Sequence, residues 1–216
     1  MGAALLMSTA AFAEGKRIAY FAASSQNVFN QVTYECVQAK VKDQGYTTEI
    51  FDGALVAAVQ YSQIEDVLAD GNFASYIVVP NDSVRIAGAF EQVIATGVPI
   101  ATVLFPVGPG LNTLDPKVSG ITTLVASPPV AGATVQTGAV VTYCADKSPC
   151  HVVIIGSKIF PFDKLCLETF EKALGAHANI KIVAEGEGFH SPDMALTTTT
   201  DILRAHKDVN LARPRC

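Results

Sequence analysis

Strand-like and helix-like segments alternate along most of this chain, and that alternation limits the possible folds more than any other feature. The first unit places a strand pattern over residues 17–23 before a helix pattern that stops at Gly45. Comparable units continue over residues 47–104 and again over residues 121–206. Strands separated by helices of about 10–15 residues are typical of right-handed βαβ units, in which helices cover both faces of a parallel sheet. The sequence therefore predicts an α/β fold.

The alternation lapses once, in a segment rich in proline and glycine. Three prolines and two glycines lie among the thirteen residues from Phe105 to Lys117, a composition typical of a loop or a crossing segment. We therefore predict an N-terminal α/β lobe over residues 16–107 and a second, partial α/β lobe over residues 118–210. On this division, the strand predicted at residues 121–125 belongs to the second lobe.

Composition and charge exclude several classes of protein. Half of the 216 residues are apolar and 16% are charged, which is ample for a buried core and excludes a disordered chain. The formal net charge of −5 and the pI near 5.3 leave no basic surface for nucleic acid or anionic membranes. No later segment reaches the about 18 uninterrupted apolar residues of a transmembrane helix. The expected partner is a small molecule or another protein.

The first thirteen residues have features of an export signal. They are apolar and then small, and they end in Ala11-Phe12-Ala13, the A-x-A pattern that signal peptidase cleaves. The basic region and the usual length of such signals are missing, so we interpret residues 1–13 as the remnant of a signal peptide. The alternative is a disordered, alanine-rich N-terminus of a cytosolic protein.

Two of the five cysteines form a close pair in the sequence. Cys144 is expected to end a helix and Cys150 to precede a strand, so a local disulfide is feasible in an oxidising compartment. Their spacing does not match the C-x-x-C of zinc or redox sites. Cys36 and Cys166 fall within helix patterns and are predicted to be core thiols.

Three loops that follow predicted strands are the expected place for a ligand. In open parallel sheets, ligands bind beyond the carboxyl ends of the strands, where helix N-termini offer free N–H groups. The loops cover residues 24–30, 80–83 and 156–164.

With these loops placed, the sequence resembles the type I periplasmic sugar-binding proteins of the ribose-binding kind, the receptors of ABC importers. The resemblance runs from about Arg17 to Asn210 and rests on an ordered set of segments. These are the first strand with its Ser/Asn/Phe loop, Gly45-Tyr46, YIVVPNDS at 76–83, GVPI at 97–100, and DILRAHKDV at 201–209. In the last segment, Lys207 stands where the family has proline.

The resemblance implies both a fold and a function. The implied fold is two Rossmann-like lobes with parallel sheets, the second lobe being incomplete. The implied protein is a monomeric periplasmic receptor without a cofactor, which binds a sugar-like ligand between its lobes and docks on an ABC permease in the inner membrane. A sugar-sensing signalling receptor on the same fold is the alternative.

The resemblance also implies ligand-binding residues in the first lobe. Asn27 falls where the family uses a hydroxyl-binding amide, Phe29 where it uses a stacking aromatic, and Asn30 at a neighbouring position. The alternative is that Phe29 packs into the core and that Asn27 caps the helix. Asp82 and Ser83 match the family's strand-three loop, although an aspartate there is equally typical of a helix N-cap.

In the second lobe, the candidates are mainly aromatic. An SKIFPFDK loop carries more aromatic surface than a soluble protein usually exposes, which indicates a ligand or a lobe interface. The second-lobe candidates are Phe160, Phe162, Lys164 and either Phe189 or its neighbour His190.

Two departures from the family pattern reduce the expected polar contacts. Leu104-Phe105 stands where the ribose-binding pattern has an Asp-Arg pair. The arginine that the family has in the second lobe corresponds to a position near Lys164 or Cys166. Ribose is therefore a doubtful ligand, and a different sugar, a polyol or a less polar solute is expected.

An α/β enzyme is the competing class of protein. The sequence has no G-x-S-x-G, G-x-x-x-x-G-K-[ST], H-E-x-x-H or G-x-G-x-x-G motif. The histidines are scattered without metal-ligand spacing, and Ser157 has no base placed by sequence. Helix caps account for Asp52, Asp82 and Asp163 at presumed strand ends. We therefore predict neither catalytic nor metal-binding residues.

The last six residues break the pattern. Two arginines, a proline and a cysteine within residues 211–216 contradict a buried strand. We interpret these residues as an aberrant tail and the chain as C-terminally truncated, with strands missing from the second lobe.

Overall fold

A computed structural model describes residues 17–214, which form eight strands and six helices. The strands are β1 (Arg17–Ala22), β2 (Thr47–Asp52), β3 (Ser75–Val78), β4 (Ile100–Leu104), β5 (Thr123–Ala126), β6 (Cys150–Gly156), β7 (Ile180–Glu187) and β8 (Leu211–Pro214). The helices are α1 (Val28–Lys42), α2 (Ala57–Asp70), α3 (Ala87–Ala95), α4 (Pro129–Tyr143), α5 (Pro161–Leu174) and α6 (Pro192–Ala205). The predicted signal-peptide remnant lies outside the described residues, as do Arg215 and Cys216 of the predicted tail.

The first sheet has five parallel strands in the order β2-β1-β3-β4-β5. Side chains alternate across β1, so Ala19 and Phe21 face one core while Tyr20 and Ala22 face the other. Helices α2 and α3 cover the first of these cores, and Tyr34 and other residues of α1 pack on the second. Helices therefore cover both faces of this parallel sheet, as predicted.

The predicted lobe boundary at residue 118 is wrong, because β5 belongs to the first sheet. It pairs in parallel with β4, from Ala101 opposite Thr123 to Leu104 opposite Ala126. The preceding proline- and glycine-rich segment is anchored on the first lobe, since Val107 and Val118 are buried in its core. The segment is therefore a loop within the first lobe, and the chain crosses to the second lobe after β5.

The second sheet has the order β7-β6-β8, and its third strand corrects the interpretation of residues 211–216. Within the described part of that segment, β8 pairs in parallel with β6, from Val152 opposite Leu211 to Ile155 opposite Pro214. Asn210 holds the start of β8 against β6, because its side chain accepts from the His151 N–H at 2.7 Å. A proline is tolerated there because β8 is an edge strand among the described residues.

Helices α4 and α5 pack together over the second sheet and enclose its core. A disulfide joins Cys144, at the end of α4, to Cys150, the first residue of β6, with the two Cα atoms 5.6 Å apart. The core-thiol prediction is wrong for Cys36, which is exposed on α1. Cys166 is buried as predicted, but it takes part in a disulfide rather than remaining a thiol. Among residues 17–214, no helix has the length and apolar character needed to cross a membrane.

Candidate ligand-binding cleft

A cavity of about 170 Å³ lies where the carboxyl ends of the strands of the two sheets face each other. The first lobe contributes residues that end or follow β1, β2, β3 and β4, and the second lobe contributes residues that follow β6 and β7. The lining residues are Ala23, Asn27, Phe29, Asn30, Leu55, Val79, Leu104, Phe105, Phe160, Phe162, Asp163 and His190. We call this cavity the cleft.

Two asparagines form the polar part of the first-lobe wall. Asn27 is the N-cap of α1, and its side-chain oxygen accepts from the Asn30 N–H at 3.3 Å. The buried Asn30 accepts from the Ala23 N–H at 3.3 Å and donates to the Asn27 Oδ1 at 3.4 Å. Asn27 also donates across the cleft to the His190 carbonyl at 3.4 Å. The two sequence-based interpretations of Asn27 are therefore compatible, since it caps the helix and lines the cleft.

An aspartate at the end of β2 holds the loop that carries Asn27. The Asp52 carboxylate accepts from the Ser25 hydroxyl at 2.5 Å, the Ser25 N–H at 3.1 Å and the Ala54 N–H at 2.8 Å. Partial burial acts to raise the pKa of Asp52, but these three hydrogen bonds outweigh it and hold the pKa below its ordinary value. The charged carboxylate thus fixes the loop at neutral pH.

Aromatic rings from both lobes form the apolar part of the cleft. Phe105, just after β4, packs against Phe162 with ring centroids 4.6 Å apart and against Phe160 at 6.4 Å. All three rings are buried. Phe29 is 43% exposed, which disagrees with the alternative that it packs into the core. The second-lobe aromatics thus line the cleft and also form part of the lobe interface.

A histidine–aspartate pair completes the second-lobe wall. The His190 Nε2 lies 2.8 Å from the Asp163 Oδ2, and the Asp163 side chain is only 5% exposed. Asp163 lies in the first turn of α5, where the helix dipole favours a negative charge. The sequence alone indicates a helix cap at Asp163 and offers His190 as a candidate only in place of Phe189. The available signal was that both residues follow neighbouring parallel strands, β6 and β7.

Four of the predicted site residues do not line this cleft. Asp82 accepts from the N–H groups of Val84 and Arg85, both at 3.0 Å, and therefore acts as a local cap. Ser83 is buried, and its backbone carbonyl accepts from the Gly108 N–H at 2.7 Å.

The other two residues outside the cleft belong to the second lobe. Lys164 is exposed and pairs with Glu168 along α5 at 3.8 Å. Phe189 lines an adjoining cavity of about 160 Å³. Within residues 17–214, no cluster of three histidine, cysteine, aspartate or glutamate residues is arranged to hold a metal ion.

Comparison with solved structures shows the same fold. A galactofuranose-binding protein superposes with a TM-score of 0.76 at 14% sequence identity, over 92% of this chain and 66% of that one. A myo-inositol-binding protein from Caulobacter gives a TM-score of 0.70 at 21% identity, over 90% and 62% of the two chains. An ABC transporter solute-binding protein from Actinobacillus succinogenes, with bound D-allose, gives 0.73 at 20% identity, over 92% and 68%.

This chain therefore spans about two thirds of the length of these proteins. No curated protein sequence matched it. The predicted fold class, α/β lobes with parallel sheets of the type I periplasmic-binding-protein kind, is confirmed. The family model of the periplasmic binding protein domain matches residues 18–212, and the chain belongs to that family.

Proposed function

We propose that this protein is the solute-binding component of an ABC importer and that it holds a sugar or a related small polar solute between its two lobes. The observation that carries this proposal is the cleft, where two amide side chains face a group of aromatic rings. Sugars offer hydroxyls to planar amides and an apolar ring face to aromatic side chains. The solved structures with the same fold include proteins bound to myo-inositol and to D-allose.

The proposed ligand-binding residues are those predicted residues that line the cleft. They are Asn27, Phe29, Asn30, Phe160 and Phe162. Asp82, Ser83 and Lys164 are left out because their side chains or backbones serve local contacts elsewhere. Phe189 is left out because it faces the adjoining cavity.

The test is a thermal-shift screen of the purified chain, followed by calorimetry on each hit. The panel contains D-galactose, D-allose, D-arabinose, L-rhamnose and myo-inositol. A ligand that binds only the native state raises the melting temperature, so we expect at least one solute to raise it in a saturable manner. A flat response to the whole panel would contradict the proposal, and so would turnover of a bound solute, because a receptor releases its ligand unchanged.

Export and docking are further parts of the same proposal. We place the protein in the periplasm as a monomer, exported through a signal peptide. Osmotic-shock fractionation should release it with periplasmic markers, and sedimentation should give the mass of one chain. Purified permease in nanodiscs should retain the ligand-bound protein, whereas retention by a sensor kinase alone would favour the signalling alternative.

A further inference from the structure

His190, which the sequence offers only as an alternative to its neighbour Phe189, lies where three cavities meet. It lines the cleft and also two adjoining cavities, of about 270 Å³ and about 160 Å³. Its ring also packs against Phe160, with ring centroids 5.3 Å apart. A solute in any of these cavities therefore lies beside His190.

The hydrogen bond to Asp163 determines which ring nitrogen is left to bond a solute. An ionised carboxylate can only accept hydrogen bonds, so the His190 Nε2, 2.8 Å from the Asp163 Oδ2, carries the proton. Within residues 17–214, the other ring nitrogen, Nδ1, has no hydrogen-bond partner. The pair thus leaves one nitrogen available on a ring whose orientation is already set.

The backbone at this point is held in a costly conformation. Phe189 and His190 have φ angles of 49° and 54°, in the left-handed region that side chains other than glycine rarely adopt. Two hydrogen bonds hold the turn: the Phe189 N–H donates to the Glu187 Oε1 at 3.3 Å, and the Ser191 N–H donates to the Gly188 carbonyl at 2.9 Å. Such strain persists where the surroundings enforce it, and it clusters at ligand sites.

The charges around the cleft favour a neutral solute. Asp163 and His190 are the titratable residues in its lining, and no lysine or arginine is among the lining residues. The nearby Lys158 and Lys164 lie outside it and pair with Glu185 and Glu168. An anionic solute would bring its charge to a buried carboxylate without a permanent cation to balance it.

The rest of the cleft is apolar. Eight of the twelve lining residues are aliphatic or aromatic, including Leu55, Leu104 and Phe105. The four polar ones are Asn27, Asn30, Asp163 and His190, with Asn27 bonded to the His190 carbonyl. A matching solute has its hydroxyls on one edge and an apolar body, as in a deoxy sugar.

We propose that His190 is a ligand-binding residue of this cleft and that its Nδ1 hydrogen-bonds to a hydroxyl of a neutral solute with an apolar body. Asp163 acts as a positioning residue, because it holds the ring through Nε2. A hydroxyl suits this site in either protonation state, since it can donate to the neutral imidazole and accept from the imidazolium. This inference rests on the proposed function and adds a residue and a solute class to it.

The solute class is tested by calorimetry with matched sugars. The probes are L-rhamnose, D-fucose and L-fucose, their 6-hydroxy parents L-mannose, D-galactose and L-galactose, and the anions D-galacturonate and D-glucuronate. We expect the 6-deoxy member of a binding pair to bind at least as tightly as its parent, and the uronates at least tenfold more weakly. Uronates that bind as tightly as the neutral sugars would overturn the inference.

The role of His190 is tested by substitution, using the best-binding sugar of that panel. His190→Asn removes the ring, while asparagine tolerates the left-handed backbone. The matched control is His151→Asn, which removes the histidine of a second His–Asp pair, with Asp208 at 2.6 Å, outside the cleft. We expect at least tenfold weaker binding for H190N and wild-type affinity for H151N. Equal affinity of H190N and wild type would overturn the inference.

The positioning role of Asp163 needs a readout that a merely structural role would not change. In ¹⁵N-histidine-labelled protein, the sugar should shift the Nδ1 resonance of His190. Asp163→Ala should abolish this shift and weaken binding as much as H190N, whereas Asp163→Asn, which keeps an acceptor for Nε2–H, should retain most of both. An unchanged resonance in wild type on saturation would contradict the contact with Nδ1.

These outcomes separate the inference from the function on which it rests. If wild type and H190N bind a sugar equally well, the inference about His190 is wrong and the receptor function stands. If folded wild type binds no sugar of either panel, both the inference about His190 and the proposed receptor function are wrong.

Discussion

At the scale of single residues, Asn27 combines two hydrogen-bonding roles that substitution can separate. Its side-chain oxygen, Oδ1, accepts from the Asn30 N–H and caps α1, and its side-chain nitrogen, Nδ2, donates to the His190 carbonyl. Aspartate keeps the acceptor and removes the donor, whereas alanine removes both.

We therefore expect N27D to unfold near the wild-type urea midpoint and N27A to lose about 1 kcal/mol of unfolding free energy. Both variants should bind solute more weakly, because both lack the amide donor. Urea denaturation and calorimetry on the three proteins measure the two roles separately. A midpoint for N27A equal to that of N27D would contradict the capping role.

Asp52 makes the stability of the first lobe depend on pH. A carboxyl group whose pKa is lowered in the folded state stabilises it above the unfolded pKa, and that contribution is lost as the pH falls through the folded value. The hydrogen bonds from Ser25 and Ala54 lower the pKa of Asp52 below its ordinary value of 3.8.

Asp52→Ala should therefore reduce the unfolding free energy by about 1 kcal/mol at pH 7, and by progressively less as the pH falls below about 4. Urea titrations at pH 7, 5, 4 and 3 measure this difference. The exposed Asp66 of α2 provides the control, since D66A should change little at any pH. A difference between wild type and D52A that stays constant down to pH 3 would rule out the charge as its source.

The residues of the cleft differ in how visible they were in the sequence. Asn27 and Phe29 were predictable because they lie at fixed positions between a clear strand and a clear helix. Asp163 and His190 were not predicted as a pair, because 27 residues separate them and only the pairing of β6 with β7 brings their loops together. Asp82 and Lys164 followed the family pattern in sequence, yet local hydrogen bonds and ion pairs use their side chains outside the cleft.

At the scale of elements, α6 is attached through a small area. It has no buried residue among those described, and it packs on β7 beside Gly186. A Cβ at Gly186 would lie 2.3 Å from the Thr198 Cγ2 and 2.8 Å from the Ile202 Cδ1 of α6. Both distances are too short for carbon atoms in contact, so glycine is required for the close approach of helix and strand.

Gly186→Val should displace α6 and expose its amides, with about 2 kcal/mol lost from the unfolding free energy. Hydrogen exchange followed by mass spectrometry should show faster exchange in peptides covering residues 192–205, while β1 to β5 keep their protection. Gly138→Ala in α4 is the control, because its Cβ would have no atom within 4 Å, and a helix interior gains up to about 1 kcal/mol from this change. Unchanged exchange of α6 in G186V would contradict the packing argument.

Two strands show where periodicity stops being informative. The sequence predicted a strand near β5 but assigned it to the wrong lobe, because a strand pattern does not specify its partner. The reverse happened at β8, where arginines and a proline argued against a buried strand, and the structure instead places residues 211–214 at a sheet edge. A hydrophobic pattern indicates burial. An edge strand is only partly buried, so this pattern does not identify it.

At the scale of the whole molecule, one aromatic cluster connects the two lobes across the cleft. Phe105 of the first lobe packs on Phe160 and Phe162 of the second. Phe105 and Phe162 belong to the same buried group as Tyr20 and Val79, so the contact between the lobes is continuous with the core of the first lobe.

Phe105→Ala should therefore weaken the attachment of the lobes and remove about 3 kcal/mol of unfolding free energy, as is usual for a buried phenylalanine. Small-angle X-ray scattering should show a larger radius of gyration, and the unfolding transition should broaden as the lobes lose cooperativity. The exposed Phe189 provides the matched control, with F189A expected to have nearly wild-type stability. An unchanged radius and midpoint in F105A would exclude this cluster as the link between the lobes.

The sequence by itself determined the α/β class, most of the helices and strands, and the loop of Asn27, because these depend on periodicity and capping between residues close in the chain. Only the tertiary structure decided that β5 belongs to the first sheet, that β8 pairs with β6, and that Phe105, Asp163 and His190 meet at one cleft. Those outcomes depend on strand pairing and on buried contacts between residues far apart in sequence. Such contacts stabilise the fold only when both partners are in place. The periodicity of residues close in the chain therefore does not report them.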